Sequence, residues 1–287
     1  MGLDRLSSKI WSDSKKIISA KVFDSTLAFR IRIGYPWRAA RRQKGYWLKH
    51  MNLSLAQYPK STGIELWRGP SAFDGAPIVA LAVFHSANRK TGDMVQTYIL
   101  RADTVPTDAV RTGDDAAICG NCPHRRTAEG TRSCYVNVGQ SVNAVYRTFM
   151  AGKYPRVPLA DAARMVRGRG VRLGAYGDPA MVPDSVWRGF IAEASGHTGY
   201  THQWRTATAF RDLCMASVDN DSEARMAWAS GWRTFRVREA SDATIPGEVT
   251  CPASKEAGAK TQCDRCRLCA GNPNRKGLRP GIVIVKH

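Results

Sequence analysis

The sequence predicts an α/β fold, a complete or partial (β/α) barrel with its chemistry at the C-terminal ends of the strands. Three observations carry this expectation. Strand-like apolar runs alternate with helix-like segments through the second half of the chain. A cluster of Asp, His, Gln or Arg follows several of those runs. Repetition of the unit favours a barrel over an open doubly wound sheet, and no glycine-rich dinucleotide fingerprint follows any run.

The elements follow in order. Residues 78–84 and 94–100 are apolar runs of strand length. The polar segment 86–93 between them, with Gly92, lacks P-loop spacing and reads as a hairpin turn. Residues 159–168 read as a helix and 171–176 as a strand. Residues 183–195 form a second helix, opened by Pro183 and Asp184 in the manner of helix N-termini. Strands are expected over 198–203, 213–218 and 233–237, with a helix over 221–230 and a closing strand over 282–285. The chain then divides into a basic N-terminal extension (1–60), a barrel-like domain (61–245) and a cysteine-rich C-terminal segment with the closing strand (246–287).

Charge points to a partner. The net charge is +19, and the first fifty residues hold 12 Lys and Arg against 3 Asp. Within 30–44, Arg30, Arg32, Arg38, Arg41, Arg42 and Lys44 are interleaved with Tyr35 and Trp37. Cations suit phosphates and aromatic rings suit unstacked bases, so DNA or RNA is the expected partner. No run approaches the ~20 apolar residues of a membrane span, and residues 1–20 lack the apolar core of a secretory signal. A cytoplasmic location is expected. In a reducing compartment, eight cysteines point to metal rather than disulfides.

Seven cysteines fall into two groups. Cys263, Cys266 and Cys269 form C-x2-C-x2-C, and Cys251 supplies a fourth thiol twelve residues earlier. Two-residue spacers let thiolates converge on one centre, and Lys255, Lys260, Arg265 and Arg267 are expected to favour the thiolate form. Four cysteines suit a 4Fe–4S cluster or tetrahedral zinc, and the triple run is more typical of the cluster. The first group, Cys119, Cys122 and Cys134, has C-x2-C-x11-C spacing. Three thiolates leave one iron of a cluster open; His124 as fourth ligand would instead close a zinc site. Cys214, between Leu213 and Met215, reads as a core residue.

The stretch ending in Cys134 and Tyr135, followed by the 172–179 run with Tyr176, Gly177, Asp178 and Pro179, resembles the radical SAM superfamily. More narrowly, it is similar to uncharacterised phage-associated cysteine-rich proteins related to that superfamily. The segments 198–204 and 216–220 extend the resemblance, which spans roughly residues 115–270. It implies a partial barrel, a 4Fe–4S cluster on Cys119, Cys122 and Cys134, and S-adenosylmethionine at the open iron. Reductive cleavage would yield a 5′-deoxyadenosyl radical. Tyr176, Gly177, Asp178 and Pro179 would border the bound cofactor, and the C-terminal four cysteines would hold an auxiliary cluster. The superfamily's usual loop is C-x3-C-x2-C, and this chain departs from it.

The expected function is therefore an iron–sulfur enzyme acting on a nucleic acid or nucleotide. Asp178, His202, Gln203 and Asp219 at strand ends are its candidate catalytic residues. Two alternatives use the same residues differently. A barrel enzyme similar to the tRNA-guanine transglycosylases would use Asp178 or Asp219 as nucleophile and the C-terminal cysteines as a zinc staple. A non-enzymatic nucleic-acid-binding protein would need only the charge and the staple.

Overall fold

The computed structural model describes residues 61–272 and 280–286. The basic extension expected over 1–60, with the 30–44 stretch, lies outside them. The described chain is an α/β protein built on one nine-stranded mixed sheet, in the order β1-β2-β3-β4-β5-β6-β7-β9-β8. Strands β1 (Gly63–Pro70), β2 (Pro77–Val83) and β3 (Val95–Arg101) pair antiparallel. From β3 onward every pairing is parallel. The parallel strands are β4 (Gly170–Tyr176), β5 (Gly196–Thr201), β6 (Met215–Val218), β7 (Thr234–Arg238), β8 (Glu248–Thr250) and β9 (Gly281–Val285).

The connections differ in length. Between β3 and β4 lie α1 (Pro106–Thr112), α2 (Ala116–Cys119), α3 (Asn143–Met150) and α4 (Leu159–Met165), with the first cysteine group between α2 and α3. Helix α5 (Asp184–Ile191) links β4 to β5, and α6 (Asp221–Ala229) links β6 to β7. Cys214 precedes β6 rather than lying in it: the amides of Leu213 and Cys214 both donate to the Phe210 carbonyl. Its thiol is fully buried in the core, as its apolar flanks suggest.

Parallel strands need a crossover, and the helices that provide it cover one face of the sheet. Val171, Leu173, Ala216 and Val218 share one core with Trp187 and Phe190 of α5 and Ala224 and Ala227 of α6. Trp187 is fully buried, and its indole N–H donates to the Pro179 carbonyl at 2.9 Å. Burial of such a side chain contributes about 1.5–3 kcal/mol. Among the described residues, no helix is long and apolar enough to cross a membrane.

The edge strand β8 is tied inward by charge. Arg236 of β7 donates in bidentate fashion to Glu248 at 2.8 and 2.7 Å, across β9. Their side chains are 2% and 0% exposed. Removing one partner of such a pair leaves a buried charge uncompensated, whereas replacing both with apolar groups is often neutral. Arg236 also meets the half-exposed Asp221 at 3.1 Å, so Glu248→Ala leaves its charge partly compensated and is expected to lower stability by about 3 kcal/mol in urea denaturation, the low end for a broken buried pair. Arg236→Met combined with Glu248→Leu is expected to recover most of that loss.

Candidate functional site

Strand geometry assigns the side chains of the other face. Successive residues alternate between faces, and cross-strand partners share one. Arg172 on β4 partners Gln96 on β3 and Thr198 on β5. Two residues on from Thr198, Tyr200 partners Met215, and Ser217 partners Phe235, which partners Ile282. Tyr176 partners Tyr98. This face is polar and aromatic toward β4 and β5 and apolar toward β7 and β9. The second core lies against its apolar end: Met215, Ile282 and Ile284 pack with Cys251 and Cys269, and Cys263, Tyr200 and Phe235 adjoin them.

The first cysteine group sits where β4 and β5 end. The Asp178 amide donates to the Ile118 carbonyl at 2.7 Å, fixing α2 against the end of β4. Gln203, just past β5, grips the loop from the other side: its Nε2 donates to the Cys119 carbonyl at 3.1 Å, and its Oε1 accepts from the Asn121 amide at 3.3 Å. A Cβ on Gly120 would stand 2.6 Å from the Gln203 amide carbon, and Gly120 has φ +55°. Only glycine fits there. Arg125 anchors the loop base through the buried carboxylate of Asp115 and the Gly113 carbonyl.

The long arm to Cys134 returns through His124. Its carbonyl accepts from the Cys134 amide at 3.0 Å, and its Nδ1 meets Ser133 Oγ at 2.8 Å. Its Nε2 meets Asp219 Oδ1 at 2.9 Å, so both ring nitrogens face oxygens rather than thiols. The His124 amide also donates to the Cys122 sulfur. Arg132 holds the carbonyls of Cys134 and Val136.

Backbone contacts likewise place the C-terminal group. The Cys251 amide bonds the Val283 carbonyl, the Cys263 amide bonds the Lys90 carbonyl, and the Cys269 carbonyl accepts from the Gly199 amide at 3.0 Å. The guanidinium of Arg233, only 1% exposed, donates to the carbonyls of Leu268, Ala270 and Pro280. The Tyr200 hydroxyl donates to the Cys269 sulfur.

All eight thiols are free of disulfides. Burial pushes the Cys122 and Cys269 thiols up to about 12, and raises Cys119 and Cys263. The neighbouring cations expected to favour the thiolates do not decide this. Desolvation dominates at Cys263, and the cations that oppose it are Arg172 and Lys90, which are distant in sequence. Such thiols ionise only when a bound cation displaces their protons. Among the described residues, no three cysteine sulfurs lie within 4.8 Å of one another. One tetrahedral zinc with ~2.3 Å bonds would hold its thiolates closer, about 4 Å apart; a cubane spreads its cysteines over separate irons.

The two groups face a common strip of sheet. Cys119 and Cys134 lie within electrostatic reach of Tyr176. Cys263 lies within reach of Arg172 and of Tyr200. Arg172 donates to the hydroxyl of the exposed Tyr135 at 2.9 Å. The Tyr176 hydroxyl is buried without a hydrogen-bond partner among the described residues. No family model, no curated protein and no solved structure matches this chain.

The remaining strand-end residues separate into two kinds. Asp178 is a bracket: Oδ1 accepts from the Ala180 amide, Oδ2 from the His202 amide, and Thr201 adds its hydroxyl. Burial raises its pKa against these bonds. Gly177, at φ +80°, lets the chain pass Ile99, and Pro179 begins a single 3-10 turn capped by Asp178. His202 and Asp219 instead converge with His124. Sequence reasoning did not single out Arg172, Tyr200 or Arg233. Their signal was period-two alternation, with polar residues on what would otherwise be an apolar face.

Gln203→Ala should loosen the first cysteine loop selectively. Amide exchange at Asn121 is expected to quicken about tenfold, equivalent to one lost hydrogen bond. Exchange within β2 and β3 should not change.

Proposed function

We propose that this protein is an iron–sulfur enzyme of radical SAM-like type, with a partial-barrel sheet, that acts on a nucleic acid or nucleotide. The observation that carries the reading is that one strip of sheet meets both cysteine loops: Arg172 bonds the hydroxyl of Tyr135, next to Cys134, and Tyr200 packs beside Cys251, Cys263 and Cys269. A zinc staple has no need of such a strip, whereas a substrate pocket between two centres does.

In this reading Cys119, Cys122 and Cys134 hold three irons and leave one open, and Cys251, Cys263, Cys266 and Cys269 hold a closed auxiliary cluster. With S-adenosylmethionine bound, the open site supplies one-electron reductive chemistry. The chain's own residues orient and shield it. Gln203 and Arg125 hold the loop, the His124 amide tunes the Cys122 sulfur, and Tyr176 presents a buried hydroxyl beside it. Arg172, backed by Tyr135, supplies positive charge for a phosphate. The net charge of +19 favours a polyanionic substrate.

Anaerobically purified protein should be brown, absorb near ~400 nm and contain iron and sulfide. Cys119→Ser and Cys263→Ser should each remove about half of the iron, as expected for separate centres. Under reducing conditions the protein should convert S-adenosylmethionine to 5′-deoxyadenosine, and Cys119→Ser should abolish this. A colourless protein with stoichiometric zinc would overturn the proposal.

Affinity for DNA or RNA should fall about a thousandfold between ~50 and ~200 mM salt if six or more phosphates are neutralised. Filter binding or fluorescence anisotropy across that range measures the slope.

A further inference from the structure

We infer that His124, His202 and Asp219 form a mononuclear site for a divalent first-row transition metal, separate from both cysteine groups. The three residues come from three different elements. His124 lies in the first cysteine loop, His202 directly follows β5 and Asp219 directly follows β6. One ligand atom from each lies within 4.8 Å of the other two. The His124 and His202 rings meet edge to face, with centroids 5.4 Å apart at 70°.

A simpler account explains only two of the three. His124 and Asp219 form an ion pair at 2.9 Å that clamps the Cys134 arm to the end of β6. That clamp makes no use of His202. Its Nε2 is buried and has no hydrogen-bond partner among the described residues, although it lies beside two polar side chains. Buried polar atoms are nearly always satisfied, and an orphan among potential ligands points to a missing partner. A metal ion meets the need: His202 Nε2 and an Asp219 oxygen coordinate it, and His124 Nε2 exchanges its contact with Asp219 for the metal.

The surrounding contacts suit ligation. A ligating histidine is normally oriented through its other nitrogen, and His124 Nδ1 rests on Ser133 Oγ at 2.8 Å. The His202 backbone is held by Asp178, so its ring is presented from a fixed turn. Metal–ligand bonds of ~2.0–2.2 Å require ligand atoms about 3 Å apart, so the three side chains close by an ångström or so on binding. Two imidazoles and one carboxylate select Fe(II), Co(II), Zn(II) or similar ions over Mg or Ca. His124 and Asp219 side chains are 33% and 29% exposed, which leaves coordination positions open on the solvent side. This site does not depend on the cluster reading, because no thiol belongs to it.

The test uses tag-free full-length protein carrying whatever its cysteines hold, stripped of weakly bound ions. Zinc titration should show one equivalent per chain at this site. Cobalt should give weak d–d bands without the intense sulfur-to-cobalt charge-transfer absorption. Pulsed EPR of a copper-substituted sample should detect two imidazole nitrogens. Asp219→Asn and His202→Gln should each weaken zinc binding at least about tenfold, with iron and sulfide content unchanged. The inference is overturned by one imidazole or none, by cobalt spectra that His202→Gln leaves unchanged, or by both variants binding zinc as tightly as the wild type. Should either variant fail to fold, the copper spectrum of the wild type decides alone. A brown protein lacking this site would leave the cluster proposal standing, and a colourless protein with the site would remove only the clusters.

Discussion

A parallel strand has two faces, and this chain spends one of them on helices. Val171, Leu173, Ala216 and Val218 bury themselves under α5 and α6. By alternation, Arg172, Tyr200, Met215 and Ser217 must look the other way. Most of what distinguishes this protein follows from that division. The helix face can be filled with apolar side chains alone. The opposite face carries a guanidinium and phenols that need partners, and the cysteine loops fold over it.

Holding thiols in place is a separate problem, because sulfur hydrogen-bonds too weakly to position itself. The structure positions the backbone around each cysteine instead. Gln203, Arg125 and Arg132 grip the first loop, and Arg233 grips the second through three carbonyls. Gln203 and Arg233 reach their loops from remote positions, whereas Arg125 and Arg132 grip theirs from within the loop. Asp178 adds a bracket between the turns after β4 and β5, so the loop, the turn and His202 are fixed relative to one another.

Electrostatics then sets the character of the site. Burial disfavours ionised forms, which is why the thiols of Cys119, Cys122, Cys263 and Cys269, the phenols of Tyr176 and Tyr200 and the Asp178 carboxyl shift toward their neutral states. Asp219 behaves differently: its hydrogen bond to His124 holds its carboxyl below the usual range. A pocket that keeps its thiols neutral until a cation arrives couples metal loading to proton release.

The sequence by itself determined much of this. Apolar runs bounded by turn residues located β2, β3 and β9, and the alternation with helical segments located β4 to β7, whereas β1 was not located. The C-x2-C spacings marked both thiol groups, and polar residues after strands marked Asp178, His202, Gln203 and Asp219. Short α1 and α3 and the edge strand β8 were not legible, since a few residues carry too little periodicity to separate helix, strand and turn. Roles were not legible either. Gln203 and Asp178 are candidate catalytic residues in a string of letters and brackets in space, because only tertiary contact shows that their polar atoms are already engaged. The charge environment of the thiols was misleading in sequence, where Lys255, Lys260, Arg265 and Arg267 are neighbours, while Arg172 and Lys90 are the cations that reach Cys263. Convergence of His124, His202 and Asp219 was decided entirely by the fold. Residues separated by up to 95 positions meet at strand ends only once the parallel register is set, and nothing local encodes that register.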